Sequence, residues 1–542
     1  MSEADRNRDL PWWRGAAIYQ IYPRSFLDTD GDGVGDLAGI AQRMGHIASL
    51  GVEAIWISPF FTSPMRDFGY DVADFCDVDP VFGTLEDFDR VIEAAHANGL
   101  RVLIDQVYAH TSDLHPWFAE SRSSTDNPKA DWYVWADPKK DGTPPCNWQS
   151  VFGGPAWTWD GRRRQYYMHT FLKEQPQLNV HNREVQDALL GVARFWLDRG
   201  VDGFRLDALN HAMHDPKLRD NPPAPRDGRP FNRPFDYQTK LHSQSQPGVV
   251  HFIERIRALC DEYGAIFTMA EVGGEKSEIE MKAFTAGNHR LNSAYGFNFL
   301  YAPELTPALV AEAMEEWQGL PGKDGLAEGW PSWAFENHDA PRAVSRWCAP
   351  EDRDRFARMK LALLASLRGD IILYQGEELG LEQDDIPFHL LQDPEAIANW
   401  PLTLSRDGAR TPLPWTADAP LGGFTTGTPW LPLSGANLAR SVADQEQDEG
   451  SILNHTRRLL ALRRAHPALR HGSFGRCVAV GSLLAFERVA GGEHLRCVYN
   501  LGPEPIALAD LEEVRLEGMP ILSLNPGGEG ELGGYSALWL VL

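Results

Sequence analysis

The pentapeptide Gly203-Phe204-Arg205-Leu206-Asp207 sets an arginine and an aspartate two positions apart in an apolar run. Strand side chains alternate with period two, so a buried strand here delivers Arg205 and Asp207 from one face. Arginine keeps its charge at any usable pH and lowers the pKa of a carboxylate beside it. Asp207 is therefore expected to be ionised and aimed at an electrophile. A structural ion pair at a strand end would explain an isolated Arg-x-Asp equally well. The company it keeps tilts the reading towards chemistry. Apolar stretches also end at Glu271 (I-F-T-M-A-E), at His338 and Asp339 (W-A-F-E-N-H-D), at His110 (D-Q-V-Y-A-H) and, after a loop, at Tyr70 and Asp71. Acids, histidines and an arginine gathered at strand ends form a constellation that packing alone does not call for.

Two carboxylates about 5–5.5 Å apart across a glycosidic bond cleave it with retention, one as nucleophile and one as proton donor. Asp207, beside Arg205, suits the nucleophile. Glu271, preceded by the apolar T-M-A, suits a carboxylic acid whose pKa is raised so that it can protonate a leaving oxygen. Asp339 would hold ring hydroxyls as the oxocarbenium-like state forms, and His110 and His338 would donate hydrogen bonds to the same ring.

The elements that must position these groups read as strand, helix, strand, helix with short links. Strands are expected at A-I-Y-Q-I-Y (17–22), E-A-I-W-I-S (53–58), R-V-L-I-D (101–105), 201–207, 265–271, 293–299, 332–336 and 370–375, with helical periods near 38–50 and 84–98. Eight such units predict an α/β fold, a closed (β/α)8 TIM barrel. An open doubly wound sheet fits less well, because no G-x-G-x-x-G follows the first strand and the polar residues gather at several strand ends. Residues 111–181, rich in Trp, Pro, Gly and Asn, are too long for an ordinary connection and predict an irregular domain inserted after strand 3, over the barrel mouth. The barrel then comprises 1–110 and 182–470, with a long excursion at about 379–450 after strand 8. Short alternating segments from 471 to 542 predict a C-terminal antiparallel β-domain.

Composition agrees with a neutral ligand. In 542 residues, 43% hydrophobic, a net charge of −25 repels nucleic acid and anionic membranes, so neither is expected as a partner. The 18 Trp and 14 Tyr suit surfaces that meet flat, partly apolar ligands such as sugar rings. Six cysteines with no C-x-x-C pair predict reduced thiols rather than a zinc site or disulfide framework. The charged start M-S-E-A-D-R-N-R-D-L has no apolar h-region, and no run of 18 apolar residues occurs, so a soluble protein not exported by a standard signal is expected, cytoplasmic in view of the reduced thiols, and taken as a monomer or small homo-oligomer. No organic cofactor is indicated. One divalent cation, Ca²⁺ or Mg²⁺, is: D-T-D-G-D-G-V-G-D (28–36) spaces Asp28, Asp30, Asp32 and Asp36 so that their oxygens and the carbonyl of Val34 can wrap a hard cation.

D-Q-V-Y-A-H (105–110), G-F-R-L-D (203–207), E-V-G-G (271–274) and E-N-H-D (336–339) resemble, in order, the signature segments of the α-amylase family, glycoside hydrolase family 13. Q-P-Q-L-N-V (175–180) extends the likeness. A-I-Y-Q-I-Y-P-R-S-F (17–26) and S-R-D-G-A-R-T-P-L-P-W (405–415) are similar to the α-glucosidase and oligo-1,6-glucosidase branch. The resemblance implies an exo-acting retaining α-glucosidase, with transglucosylation as side activity, in which Asp71 and Arg406 clamp the non-reducing end of the terminal glucose. It supports Asp28, Asp30, Asp32, Val34 and Asp36 as cation ligands. Ala109 and Gln177 replace customary oxygen ligands of the amylase-type calcium site, so no cation is expected there. Ala208, just after the nucleophile position, goes with α-1,4 bonds in this branch, and Phe152 and Phe297 would line the acceptor subsite. A sugar-isomerising relative, forming trehalose or isomaltulose, is the alternative that the resemblance admits.

Overall fold

In the computed structural model, which describes residues 10–542 apart from 227, 229–230, 275–276, 319–328, 512–513 and 515, eight strands run parallel. They are β1 (Ala17–Ile21), β2 (Ala54–Ile57), β3 (Arg101–Val107), β4 (Gly203–Asp207), β5 (Phe267–Val272), β6 (Ser293–Gly296), β7 (Ser332–Ala334) and β8 (Asp370–Tyr374). Their order is β6-β5-β4-β3-β2-β1-β8-β7, and a parallel bridge from Ala294 to Pro331 joins the two ends into a TIM barrel. Strands covered on both faces need no polar alternation, which is why all but the first residue of β3 and the last of β6 are buried.

Inward-facing Ile18, Trp56, Leu103, Met269, Tyr295 and Ile372 fill the barrel as a packed core. Gly203 opens β4 because a Cβ there would lie 2.4 Å from the Phe267 carbonyl oxygen and 2.6 Å from Leu103 Cδ2. The absent side chain lets β4 pack between β3 and β5, and so fixes the register of Arg205 and Asp207. The outer helix Leu85–Ala97 starts at a capping box between Thr84 and Asp87, and Arg183–Asp198 at Asn182.

The insertion after β3 is more regular than its composition implied. Trp135–Ala136, Trp157–Asp160 and Gln165–Met168 form a three-stranded antiparallel sheet around Val134, Trp148, Trp157 and Met168. Its aromatic residues supply a small core of their own, which an irregular reading overlooked. Gln177 is fully buried; its Nε2 donates to the His211 carbonyl (2.8 Å) and its Oε1 accepts from Thr170 (2.8 Å), tying the insertion to the barrel by hydrogen bonds. After β8 the chain wanders through short helical turns before Ile452–Ala465 packs back on the barrel. Residues 473–541 carry a five-stranded antiparallel sheet. All six cysteines are free thiols, and no described helix is long and apolar enough to cross a membrane. The charged residues 1–9 lie outside the described residues.

Candidate active site

Arg205 is the hub. It is fully buried, its Cζ lies 4.8 Å from the centre of the Trp56 ring, and its guanidinium reaches three acids. Nη1 bonds Asp105 Oδ1 and Asp207 Oδ1, both at 2.6 Å, and Nη2 lies 2.7 Å from Glu271 Oε1. Register explains the meeting: Asp105 is directly opposite Arg205 across β3 and β4, and Glu271 extends β5 by one residue beyond the Ala270–Leu206 pair. Tyr295, on β6, completes the ring. Its hydroxyl accepts from Arg205 Nε (3.0 Å) and Nη2 (2.8 Å) and donates to Glu271 Oε1 (3.0 Å). Ala208 follows in the left-handed region (φ 40°), which turns its backbone N–H towards Glu271 Oε2 at 3.3 Å.

This cluster corrects the expected electrostatics of Asp207. Burial pushes its carboxyl up to about 7 against the pull of Arg205, with Asp105 adding to the rise. Burial, with the neighbouring Asp207 and Asp339 adding to it, likewise pushes Glu271 up to about 7 against the pull of Arg205. One guanidinium cannot neutralise three carboxylates in a water-poor site. Asp207 and Glu271 therefore titrate as a unit that keeps a proton near neutral pH. Tyr295→Phe tests the ring. A hydrogen bond to a charged group is worth about 1.5–3 kcal/mol, and this one favours ionised Glu271. Its loss is expected to move the basic limb of the kcat/KM profile up by about one pH unit, and an unshifted limb would exclude Tyr295 from that role.

A second charge cluster closes the other side. Asp339 meets Arg410 Nη2 (2.7 Å), Arg406 Nη1 (3.1 Å) and His338 Nε2 (3.2 Å). Burial opposes its ionisation, but the charges of Arg406 and Arg410, with the Nε2–H of His338 beside them, outweigh that and hold it below the ordinary carboxylate range. Burial pushes His338 down to about 3, so its ring is neutral. Gln20 Nε2 donates to its Nδ1 (2.8 Å), which leaves the proton on Nε2 facing the Tyr70 hydroxyl at 2.6 Å. His110 is also buried and neutral, pushed down to about 4, with Nε2 3.0 Å from the Tyr70 carbonyl oxygen.

Arg406 does not meet Asp71. Asp71 is fully buried and accepts from the Asp67 N–H (3.0 Å), the Arg66 N–H (3.0 Å) and Ser63 Oγ (2.9 Å), so its carboxylate is consumed in folding the loop 63–71. The partner of Arg406 is Asp67, at 3.1 Å from Nη2, with Asp393 behind it at 2.8 Å. The segment D-F-G-Y-D offers two aspartates, and only the turn between them, with Gly69 at φ 106°, decides which one faces the cavity.

Asp67, Tyr70, His110, Phe152, Asp207, Ala208, Glu271, Phe297, Asp339 and Arg406 all line one cavity of about 460 Å³. Arg205 and His338 lie beneath its floor. Sequence reasoning missed Asp67, Asp105, Tyr295, Asp393 and Arg410. Asp105, in the same D-Q-V-Y-A-H segment as His110, was within reach of strand alternation; Tyr295 and Arg410 carry no such signal.

Remote from this cavity, Asp28, Asp30 and Asp36 bring one carboxylate oxygen each within 4.8 Å of one another. A cation touching all three at about 2.4 Å fits that spacing. Asp32 is not part of the cluster: its side chain is exposed, with Oδ1 accepting from the Val34 N–H at 2.7 Å. The loop docks on the excursion after β8, with Asp28 N donating to the Phe424 carbonyl (2.9 Å) and Trp430 N to that of Gly33 (3.0 Å). A Cβ on Gly33 would lie 1.8 Å from the Thr428 carbonyl oxygen.

Residues 20–472 match the family model for the α-amylase catalytic domain. A probable α-glucosidase of Rhizobium meliloti is 52% identical over 94% of this chain and 92% of its own length. An oligo-1,6-glucosidase of Heyndrickxia coagulans is 37% identical over 85% and 87%. Among solved structures, an α-glucosyl transfer enzyme superposes with a TM-score of 0.92 at 48% identity, covering 98% of this chain and 100% of that one. The trehalulose synthase of Pseudomonas mesoacidophila MX-45 gives 0.87 at 30% identity, over 98% and 99%. A barrel with acids at the ends of β4 and β5 and after β7, matched by this model and these relatives over nearly its whole length, makes the chain a member of the α-amylase family, glycoside hydrolase family 13.

Proposed function

We propose that the protein is an exo-acting retaining α-glucosidase that releases α-glucose from the non-reducing end of short α-glucosides, maltose-like and α-1,4-linked. The observation that carries this reading is the pairing of Asp207 and Glu271 on the two ends of one guanidinium, in a cavity closed by the Arg406–Asp67 pair. Carboxylates held on the two ends of one guanidinium are neighbours, which suits the about 5–5.5 Å of a retaining pair.

In the first step Asp207 attacks the anomeric carbon as Glu271 gives its proton to the leaving oxygen. A β-glucosyl ester forms on Asp207, whose negative charge disappears. That charge had been raising the pKa of Glu271, so ester formation lowers it and readies Glu271 to act as base. Water then attacks, Glu271 takes its proton, and Asp207 leaves as carboxylate. Sugar hydroxyls competing with water give transglucosylation. Asp339, held ionised, and His110, held neutral, line the cavity and are set to bind ring hydroxyls, whereas His338, expected to do the same, lies beneath the floor with both ring nitrogens engaged by Gln20 and Tyr70. Ala208 lines the cavity beside Glu271, where a β-branched residue would add bulk in a backbone region it rarely adopts. That favours the α-1,4 preference.

A proton NMR time course on maltose tests the reading. The expected first product is α-glucose, with new disaccharides while substrate is concentrated. Early β-glucose would overturn retention. Conversion to an isomeric disaccharide with little free glucose would move the activity to a sugar isomerase, the class of the trehalulose synthase neighbour.

Asp28, Asp30 and Asp36 would hold the structural cation, Ca²⁺ or Mg²⁺, pinning the excursion that carries Arg406 and Arg410. A ligand at 100 times its Kd contributes about 2.7 kcal/mol. Chelation is therefore expected to lower Tm by calorimetry, with recovery on adding back Ca²⁺ or Mg²⁺; an unchanged Tm would remove the cation from the account. Six free thiols suit a reducing cytoplasm.

A further inference from the structure

We propose that Arg342, buried outside the cavity, is a positioning residue for the reaction: it fixes the turn that carries Arg406 and Arg410 against the turn that carries Asp339, and so sets the charge cluster that faces the glucose ring. This rests on the glucosidase reading above and adds a residue to the machinery of the same site.

Asp339 stands 67 residues before Arg406 and 71 before Arg410 in the chain, so something must align the two segments. The pair of Asp339 with Arg406 is a poor ruler, because both residues line the cavity and a sugar hydroxyl can compete for the same oxygens. A link that a sugar cannot reach runs beneath them. Arg342, three residues past Asp339, is 1% exposed. Its Nη2 donates to the carbonyl oxygen of Ala409 (3.1 Å), at the end of the helical turn Arg406–Ala409 and directly before Arg410. The hydroxyl of Tyr374, at the end of β8, donates to the same carbonyl (3.1 Å). Nη1 of Arg342 donates to the carbonyl of Gln375, just past β8 (2.9 Å), and to Glu336 Oε2 (3.1 Å). One guanidinium thus joins the exit of β7, the exit of β8 and the excursion.

The segments it joins are stiff. Asn337 Oδ1 accepts from the N–H groups of Asp339 (2.9 Å) and Ala340 (2.8 Å), which fixes the turn that leads to Arg342. Ser405 Oγ accepts from the Asp407 N–H (3.1 Å) and caps the turn that bears the two arginines.

Arg342 is itself clamped. Glu336 Oε1 accepts from Lys360 Nζ (2.7 Å) and from the Ala343 N–H (3.1 Å), and Lys360 also meets Glu377 Oε1 at 2.8 Å. Burial opposes the ionisation of Glu336, but Lys360 and Arg342 outweigh it and hold the carboxyl below its ordinary range. The guanidinium lies over the Tyr374 ring, Cζ 4.4 Å from its centre, and Gly376 (φ 86°) leaves it room, since a Cβ there would come within 3.2 Å of Nη2. Stability alone gives little reason for so many buried ions, because apolar residues of similar volume often serve as well. What the ions add is a fixed direction for each donor.

The catalytic acids sense this alignment. The charge of Asp339 raises both Asp207 and Glu271, and Arg406 and Arg410 offset that charge. When the arginine turn drifts, the offset weakens and both acids keep their protons to higher pH. Arg205, Asp105, Tyr70 and Tyr295, the other titratable groups facing the two acids, keep their places.

The test compares Arg342→Met with Arg463→Met. Arg463 is equally buried and also donates to carbonyl oxygens, but to those of Gly15 and Gly369 before β1 and β8, at the opposite end of the barrel from the cavity. Both variants are assayed across pH on 4-nitrophenyl α-glucoside, per folded enzyme as counted by circular dichroism. Both are expected to melt at lower temperature. Arg342→Met is expected to lose about 10²-fold in kcat/KM, the scale of an ångström's misplacement by a change away from the chemistry. Both limbs of its pH profile move up, by about half a pH unit, whereas Arg463→Met keeps the wild-type kcat/KM and limbs. Unmoved limbs in Arg342→Met, or an equal effect in Arg463→Met, overturn this inference and leave the glucosidase reading standing. Should Arg342→Met fail to fold, Tyr374→Phe removes only the second donor to the Ala409 carbonyl: lower kcat/KM with raised limbs supports the inference, and wild-type values overturn it. No turnover of the aryl glucoside by the wild-type enzyme overturns both this inference and the glucosidase reading.

Discussion

Asp207→Asn is expected to lower kcat/KM on every α-glucoside by about 10⁴-fold or more, the scale on which loss of a nucleophile acts in other covalent enzymes. The amide cannot form the ester, and it replaces an acceptor of the 2.6 Å bond from Arg205 with a group of weaker basicity. Glu271→Gln is expected to behave differently. With α-glucosyl fluoride, whose departure needs little proton assistance, it retains formation of the ester and loses the basic limb of the pH profile. External azide then separates the two residues by stereochemistry. On the Glu271 variant, azide attacks an ester held on the β face and gives α-glucosyl azide. On a truncated Asp207→Gly, azide enters from the vacated β face and gives β-glucosyl azide. The reverse assignment of anomers would exchange the two roles, and substantial turnover of an activated aryl glucoside by Asp207→Asn would remove Asp207 as nucleophile.

The same region shows what a sequence can and cannot disclose. Arg205 and Asp207 share a face because strand alternation is a property of local covalent geometry, and eight apolar runs separated by helical periods leave few architectures open. The parallel barrel was legible for that reason. Register between strands is not local. Nothing in the chain order says that Asp105 stands opposite Arg205, or that Tyr295 completes a ring with Glu271, and so the balance of charge about Asp207 was misjudged. A rule that sees one arginine predicts a lowered pKa; three acids sharing that arginine in a buried site raise it. The choice between Asp67 and Asp71 failed for a related reason. Both flank one glycine turn, and the loop needed one carboxylate to accept its own backbone N–H groups, which left the other for the cavity. In the acidic loop the count of carboxylates was plain, but which of them converge depends on the loop's backbone path, and Asp32 stands outside the cluster.

Arg406→Lys and Asp67→Ala are each expected to lower kcat/KM on maltose by about 10²–10³-fold. Arg406 gives Nη2 to Asp67 and Asp393 and Nη1 to Asp339, a fork that a single ammonium cannot reproduce. Truncating one partner of a buried hydrogen-bonded charge pair costs about 2–5 kcal/mol, and tenfold in rate is about 1.36 kcal/mol. Asp71→Asn provides the contrast. Its carboxylate accepts two backbone N–H groups and Ser63 away from the cavity, so its loss should appear as a lower Tm, with kcat/KM of the folded fraction falling far less than in Asp67→Ala. An equal or larger activity loss in Asp71→Asn, with Asp67→Ala close to wild type, would restore Asp71 as the clamp. Chain length supplies the independent readout. A charge pair that ends the cavity one ring beyond the scissile bond allows only glucose to leave from maltopentaose. Maltose as the first product of the wild-type enzyme would mean that the Arg406–Asp67 pair does not close the site, whatever the kinetic constants of the variants.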